Sequence, residues 1–283
     1  MELPTDITQV VQNALAEDVG DGDITAQLIH ANTRANAHVV CRERAVICGR
    51  AWFEKAFLLL AGDCVIKWHC SDGESIEADE VICELEGPAR ALVTGERTAL
   101  NFLQTFSATA TETRRYADCL VGTNTILLDT RKTIPGLRSA QKYAVVCGGG
   151  QNHRIGLFDA ILIKENHIEA AGSLENAISQ MRSQFPNLPI EIEVESLSEL
   201  ARAIDAGADI VLLDNFSNAD IIEAVEMNAG QVKLEASGGY DFDGLRTIAK
   251  IGVDYVSVGA LTKHIRAIDF SMRFLSYAKA YGS

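Results

Sequence analysis

The chain has 283 residues, of which 47% are hydrophobic and 23% are charged. That length is a soft prior for one large domain or two modest ones, and the composition excludes a disordered or collagen-like chain. The formal net charge is −14, from 25 basic and 39 acidic residues. Because a field of that sign repels nucleic acid and anionic membranes, we expect neither as a partner.

The N-terminal segment and the cysteines both indicate a cytoplasmic protein. The segment is acidic and lacks the basic-then-apolar layout of a signal peptide. No apolar run approaches the roughly 18 residues of a membrane span. The seven cysteines are an odd number and form no CxxC pair, which favours reduced thiols over a disulfide framework.

Residues 1–110 predict an α+β domain, because their strands and single helix lack βαβ alternation. Paired strands are predicted within 35–49, a helix at 50–62, and further strands at 64–70 and 81–87. A long helix is expected from about Glu96 to Leu120, where it would connect this domain to the next.

Residues 111–268 predict an α/β domain with a parallel sheet, because short apolar strands alternate with helical patterns. The strands are TILLD (125–129), AILIK (160–164), IEIEV (190–194), DIVLLD (209–214), VKLEAS (232–237) and DYVSVG (254–259). Later strand centres recur about every 20 residues, which suits an α/β barrel, although six strands are visible and a complete barrel has eight. An open doubly wound sheet is the alternative, weakened by the absence of its nucleotide-binding motifs. Residues 269–283 predict a final helix that packs on the first domain.

The charge is distributed unevenly. Residues 131–164 contain six basic side chains and one acid, so this segment carries +5 and the remainder of the chain −19. The basic residues lie among glycines and strand-like residues. We therefore favour a pocket for a small polyanion over a solvated basic face.

Polar side chains collect where the predicted strands end, and in a parallel barrel the loops after the strands converge on one face. Arg131, Arg154 and Lys164 can hold carboxylates or phosphates, and arginine does so in bidentate geometry. Thr130 and Lys132 suit phosphate oxygens. This rim predicts ligand binding, with a surface ion pair as the alternative for any single residue.

Two acidic residues lie at neighbouring strand ends of this cationic site. Their carboxylates would repel an anionic ligand unless a cation or hydroxyl groups lay between them. Glu193 and Asp214 would suit Mg²⁺ shared with phosphate oxygens, or the hydroxyls of a sugar. Late loops of barrel enzymes often hold a phosphate on backbone N–H groups. The candidates here are Ser237, Gly238, Gly239, Val258, Gly259 and Ala260. Charge and spacing thus predict a phosphate-bearing, multiply anionic substrate with a divalent metal.

Arg97 stands apart from this rim. In the expected helix it would lie in the first turn, where a cation opposes the helix dipole by roughly 0.3–1 kcal/mol. A bound anion or an acidic neighbour would offset that cost, and a solvated arginine is the alternative.

Eight segments in order resemble the quinolinate phosphoribosyltransferase family over nearly the whole chain. They are ALAEDVGDGDIT, GERTALNFLQ, LLDTRKTIPGLR, KYAVVCGGGQNHRIGLFDAILIKENH, EIEVES, VLLDN, LEASGG and DYVSVGALTKH. The resemblance implies an N-terminal sandwich domain followed by an incomplete α/β barrel. It implies an enzyme of NAD biosynthesis that joins quinolinate to 5-phosphoribosyl-1-pyrophosphate and releases pyrophosphate and CO₂, with Mg²⁺, to give nicotinate mononucleotide.

The resemblance also implies roles for individual residues. The dicarboxylate pocket would be lined by Arg131, His153, Arg154 and Lys164. The phosphoribosyl and metal side would use Lys132, Glu193 and Asp214, and the 5-phosphate would lie on Ser237, Gly238, Gly239, Gly259 and Ala260. The family forms homodimers, and sometimes larger oligomers, in which the arginine matching Arg97 enters the partner's active site. By this resemblance Lys132, Lys164, Glu193 and Asp214 are the catalytic candidates.

Three other functions compete with this one. A related phosphoribosyltransferase could act on another pyridine or a modified base. Lys164 at a strand end could instead form a Schiff base, as in barrel aldolases. A binding or regulatory protein is disfavoured, because it would be expected to have lost part of the rim.

Overall fold

The computed structural model describes residues 2–278, which divide into two compact units. The first comprises residues 2–114, 134–149 and 264–278, and the second comprises residues 115–133 and 150–263. The units are therefore not the contiguous segments 1–110 and 111–268, because residues 134–149 group with the N-terminal residues. No helix within residues 2–278 is long and apolar enough to cross a membrane.

Helices and strands alternate through the second half of the chain. The helices are α1 (Ile7–Val19), α2 (Arg50–Leu60), α3 (Ala89–Asp118), α4 (Arg138–Gly148), α5 (Glu165–Ala171), α6 (Leu174–Gln184), α7 (Leu197–Asp205), α8 (Asn218–Asn228), α9 (Phe242–Ile251) and α10 (Ala260–Lys263). The strands are β1 (Arg34–Cys41), β2 (Ala45–Val46), β3 (Val65–Trp68), β4 (Ser75–Ile76), β5 (Val81–Pro88), β6 (Ile126–Leu128), β7 (Ile161–Ile163), β8 (Ile190–Val194), β9 (Ile210–Asp214), β10 (Lys233–Ser237), β11 (Tyr255–Ser257) and β12 (Phe270–Ala278).

The first unit is built on an antiparallel sheet in the order β12-β1-β5-β3. Its core takes Trp52, Phe53 and Phe57 from the predicted helix α2, all with no exposed surface. The predicted pairing of two strands within 35–49 is wrong. β1 already uses both of its edges for β5 and β12, so β2 pairs with β4 instead.

The predicted C-terminal helix is also wrong over its described part. Residues 270–278 form β12, which pairs with β1 in this first unit, and residues 279–283 lie outside the described residues. Phe270 and Met272 are buried, Phe274 is half-buried, and the residues between them are more exposed. Every second side chain therefore faces the core, which is the period of a strand and not of a helix.

α4 belongs to the first unit because its inner face joins that core through Ala140, Ala144 and Cys147. Its last residue, Gly148, lies so close to α3 that an added Cβ would meet the Ala110 carbonyl oxygen at 2.5 Å. A side chain at this position would push the two helices apart.

The second unit contains the six predicted strands, all parallel, in the order β6-β11-β10-β9-β8-β7. β6 and β7 are the two edges of the sheet, so the predicted incomplete barrel is confirmed. One face packs under the helices in an aliphatic core that includes Ile192, Val211 and Ala236. Side-chain N-caps begin the outer helices α6, α7, α8 and α9, and they are Ser173, Ser196, Ser217 and Asp241. These caps satisfy orphan N–H groups and fix where each helix starts after its strand.

Candidate functional site

Strand alternation separates the second unit's stabilising residues from its candidate site residues. On β8, Ile190, Ile192 and Val194 enter the aliphatic core, while Glu191 and Glu193 point to the opposite face. Parallel neighbours in register carry the same alternation across the sheet. The inner face is therefore polar. Core packing does not explain so many charges, because burying a charge is unfavourable.

The inner face lines a cavity of about 350 Å³ at the carboxyl ends of the strands. Eight of the predicted residues line it: Thr130, Arg131, Lys132, His153, Arg154, Lys164, Glu193 and Ser237. The remaining lining residues are Leu162, Leu212, Glu235 and Ser257. The predicted cationic pocket therefore exists as one cavity within one unit.

Arg131 and Arg154 supply much of the cavity's positive charge. Burial and the nearby Arg131 lower the pKa of Arg154, while Glu191 and Asp159 oppose that shift. The Nε of Arg131 is buried and has no hydrogen-bond partner among residues 2–278. Two guanidinium groups held this close need an anion to relieve their repulsion and to satisfy their donors.

His153 is fixed from three directions. Its backbone N–H donates to Asp129 Oδ1 at 2.9 Å, and its Nδ1 accepts the backbone N–H of Arg154 at 2.7 Å. Its Nε2 lies 2.8 Å from Glu191 Oε2 and 3.6 Å from Glu235 Oε2. The ring thus lies in the cavity wall, held to two glutamates on other strands.

Lys164, Glu193 and Asp214 end three neighbouring strands and form one charged group. The Lys164 ammonium is paired with the Glu193 carboxylate. Burial and the charge of Glu193 raise the pKa of Asp214, which Lys164 and Lys132 partly counter. Asn215 donates to Asp214 Oδ2 at 2.9 Å from a left-handed backbone conformation (φ 56°). Two carboxylates so close repel each other, which favours a cation or hydroxyl donors between them.

Lys132 follows β6 and is held by its backbone. Its N–H donates to Thr130 Oγ1 at 3.1 Å, and its carbonyl accepts the hydroxyl of the buried Thr262 at 2.9 Å. A Cβ added to Gly259 would lie 2.9 Å from Lys132 Cδ. A glycine at this position therefore leaves the space through which the Lys132 side chain crosses the end of β11.

The predicted phosphate-binding residues are brought together in part. Ser237 lines the cavity at the end of β10, and Gly259 contacts Lys132. Four others do not line the cavity and follow the ends of β10 and β11: Gly238, Gly239, Val258 and Ala260. The ring of Tyr240 packs over Gly238, where an added Cβ would lie 3.1 Å from its Cζ.

The expected position of Arg97 in its helix is wrong. Arg97 is not in the first turn of a helix, because α3 begins at Ala89 and the exposed Arg97 lies well inside it. Arg97 belongs to the first unit, and at this position the helix dipole does not disfavour its charge. The glycine run after Cys147 lies at the end of α4. Gly149 ends α4 in a left-handed conformation, and Gln151 bridges to β6.

Sequence reasoning missed Glu191 and undervalued Glu235 and Asp129, which are all buried. The signal for Glu191 was present in IEIEV, where the two glutamates alternate with apolar residues and must share a face. Buried acids of this kind can be recognised only when the cations opposite them are known.

Comparison with known proteins covers nearly the whole chain. Residues 23–107 match the model of the quinolinate phosphoribosyl transferase N-terminal domain, and residues 109–273 match that of the C-terminal domain. The chain is 39% identical over 267 residues to a probable nicotinate-nucleotide pyrophosphorylase [carboxylating] of Bacillus subtilis, covering 94% of this chain and 92% of that protein. It is 38% identical over 272 residues to the nicotinate-nucleotide pyrophosphorylase [carboxylating] of Mycobacterium leprae, covering 93% and 95%. The solved nicotinate-nucleotide pyrophosphorylase of Francisella tularensis has a TM-score of 0.94 and 48% identity, covering 97% of this chain and 98% of that one.

Proposed function

Because the chain belongs to the quinolinate phosphoribosyltransferase family, we propose that it transfers a phosphoribosyl group from 5-phosphoribosyl-1-pyrophosphate to quinolinate. Decarboxylation accompanies the transfer, and the products are nicotinate mononucleotide, CO₂ and pyrophosphate. The enzyme is thus a glycosyltransferase of de novo NAD biosynthesis.

One observation carries this proposal: the cavity holds a cationic cluster with Glu193 in its wall, and Asp214 lies beside Glu193. Arg131, Arg154 and Lys164 meet the needs of a dicarboxylate, while Glu193 and Asp214 meet those of a ribose or a metal. Quinolinate carries two carboxylates on adjacent ring carbons, and arginine forks match that planar, paired charge better than lysine alone.

The phosphoribosyl substrate occupies the opposite side of the cavity in this proposal. Thr130 and Lys132 bind pyrophosphate oxygens, and Lys132 stabilises the charge that develops as pyrophosphate leaves. The 5-phosphate lies on the loops after β10 and β11, at Ser237, Gly238, Gly239, Gly259 and Ala260, with Val258 beside them. The position of Ser237 in the cavity wall supports this orientation.

The acidic pair fits Mg²⁺, since its donors are carboxylates whose mutual repulsion a divalent cation would relieve. Glu193 and Asp214 would hold the ion directly or through water. When bound with the diphosphate substrate, Mg²⁺ supplies charge neutralisation at the leaving group.

The chain's own residues mainly position the reactants and hold fixed charge. Departure of pyrophosphate leaves an oxocarbenium-like ribose at C1, and the pyridine nitrogen of quinolinate attacks that carbon. Glu193 and Asp214 orient the ribose hydroxyls during this step. The electron pair of the C2–carboxylate bond then stays on C2 as CO₂ departs, where the adjacent quaternised nitrogen stabilises it, and C2 takes up a proton from solvent. No covalent enzyme nucleophile is needed.

Lys164 serves as a cation in this reaction and not as a Schiff-base nucleophile. A Schiff base requires a neutral amine, and the Lys164 ammonium is paired with the Glu193 carboxylate. A transferase for a different pyridine is the closer rival, and the two guanidinium groups favour the dicarboxylate over a monocarboxylate.

The proposal includes a cytoplasmic homodimer, or a larger oligomer, in which Arg97 enters the partner's active site. The exposed position of Arg97 within α3 supports a role outside its own unit's core. The seven cysteines are free thiols, which supports a reducing compartment.

The test is release of labelled CO₂ from carboxyl-labelled quinolinate with 5-phosphoribosyl-1-pyrophosphate and Mg²⁺. Release that requires both substrates and Mg²⁺, with nicotinate mononucleotide formed in equal amount, is the expected result. Mononucleotide formation from another pyridine carboxylate, with no CO₂ released from quinolinate, would assign a different base. Borohydride trapping of Lys164 with a carbonyl substrate would instead support the alternative of a Schiff-base aldolase.

A further inference from the structure

Two buried glutamates lie against His153 in the cavity wall, and of the two Glu235 lines the cavity. Glu191 on β8 is 4% exposed and Glu235 on β10 is 1% exposed. In each of them Oε1 has no hydrogen-bond partner within residues 2–278. Buried carboxylates are costly unless they are compensated, so their retention beneath a substrate pocket calls for a function.

The buried Glu235 carboxyl group is affected by its neighbour Glu191. Burial and the charge of Glu191 raise the pKa of Glu235 to about 8. Side-chain atoms of His153, Glu191 and Glu235 lie within 4.8 Å of one another. His153 Nε2 is closer to Glu191, at 2.8 Å, than to Glu235, at 3.6 Å, so its direct partner is the carboxylate of Glu191.

That carboxylate sets the proton position on His153. Nδ1 of His153 accepts the backbone N–H of Arg154, so it must carry a lone pair. The ring proton therefore lies on Nε2, which donates to Glu191 Oε2 at 2.8 Å. Both ring nitrogens are used within the protein, and the ring has no N–H left for a substrate carboxylate.

The effect of the pair passes from His153 to Arg154. The imidazole holds the backbone N–H of Arg154, and the charge of Glu191 favours the Arg154 guanidinium against burial and against Arg131. Arg154 in turn lines the cavity. His153 thus connects the two glutamates to Arg154, a cation that lines the cavity.

We propose that Glu191 and Glu235 are positioning residues for the dicarboxylate site, and that they act through a neutral, Nε2-protonated His153 to place Arg154. His153 then shapes the wall of the pocket without acting as a charged ligand. The assignment to a dicarboxylate rests on the proposed function, whereas the His153 tautomer rests on the hydrogen bonds alone.

The first test is nitrogen NMR of the whole protein with labelled histidine at neutral pH. The signals of His153 are identified by their loss in His153→Asn. We expect a neutral ring with the proton on Nε2 in the wild type, and loss of that fixed tautomer in Glu191→Leu. A charged ring, or a proton on Nδ1, in the wild type would overturn the proposal whatever reaction the enzyme catalyses.

The second test is kinetic. Glu191→Leu should raise the KM for quinolinate about tenfold, since a hydrogen bond to a charged group is lost, while the KM for 5-phosphoribosyl-1-pyrophosphate stays within about twofold. Glu191→Gln keeps an acceptor for Nε2–H and should recover most of the loss. Glu175→Gln is the matched control, because Glu175 forms a surface ion pair with Arg202 and does not line the cavity.

The possible results separate the two proposals. An unchanged KM for quinolinate in Glu191→Leu, or equal losses for both substrates with no recovery in Glu191→Gln, would refute positioning. A wild type that releases no CO₂ refutes the reaction and leaves the NMR result to decide the tautomer. If Glu191→Leu fails to fold, Glu191→Gln and the wild-type spectrum still decide.

Discussion

The two faces of the parallel sheet differ sharply in chemistry although they belong to the same strands. On β8, Ile192 lies at 0% exposure in the aliphatic core, while its neighbours Glu191 and Glu193 lie on the opposite face, where Glu193 lines the cavity. The outer face follows the rule of hydrophobic burial, and the inner face breaks it. Successive residues of one strand thus contribute to different properties, one to stability and the next to ligand binding. Substitutions on the two faces should therefore have different consequences.

The largest expected effect is on the cavity face. Lys132→Ala should reduce kcat/KM by about a thousandfold, because charge on the departing pyrophosphate loses a fixed cation. Stability should change little, since the Thr130 and Thr262 contacts of Lys132 use its backbone and are kept. Steady-state kinetics and thermal melting of the same preparation check this. A large fall in melting temperature together with the loss of activity would contradict a separation of stability and activity between the two faces.

A mixing experiment asks whether the cavity face is complete within one chain. Arg97→Ala and Lys132→Ala subunits are each expected to be nearly inactive alone. If sites are built across a dimer, random mixing should restore about a quarter of wild-type activity, since half the dimers would hold one intact site. Mixing is measured after unfolding and refolding together. No recovery in dimers proven to be mixed contradicts the shared site.

The core face should respond in the opposite way. Ile192→Ala removes a fully buried side chain and should destabilise the protein by about 2–4 kcal/mol. The folded fraction should retain KM values close to those of the wild type. Urea denaturation gives the stability, and kinetics below the transition give the KM values. A large change in KM at preserved stability would mean that the two faces are not independent.

The smallest effect concerns pH and Glu235. Its pKa is raised from 4.5 to about 8 by burial and by Glu191, so the folded chain holds this proton more tightly than the unfolded chain. The corresponding stability is present below about pH 4.5 and is lost as pH rises towards 8. Glu235→Gln should flatten that decline, because the amide does not titrate. Denaturation between pH 5 and about pH 8.5 measures it. Parallel curves for the two proteins would contradict the raised pKa.

Many residues that line the cavity could be predicted from the sequence because they lie at the ends of recognisable strands. Arg131, Lys164 and Glu193 follow or end apolar strands, and the period of the strands assigns them to one edge. Arg154 was a candidate from its charge, the resemblance added His153 to the same pocket, and the cavity contains both. The start of α3 was missed because the preceding strand and helix join without a turn signal, at Pro88 and Ala89.

The sequence by itself determined the six parallel strands, the cationic cavity rim and the family, since local periodicity and motif order encode them. Only the tertiary structure decided that residues 270–278 pair as a strand with β1 and that α4 joins the first unit. It also decided that Glu191 and Glu235 meet under His153. Such choices depend on residues distant in the chain, because the edge of a sheet, a helix surface or a buried charge is stabilised by whatever the fold brings against it.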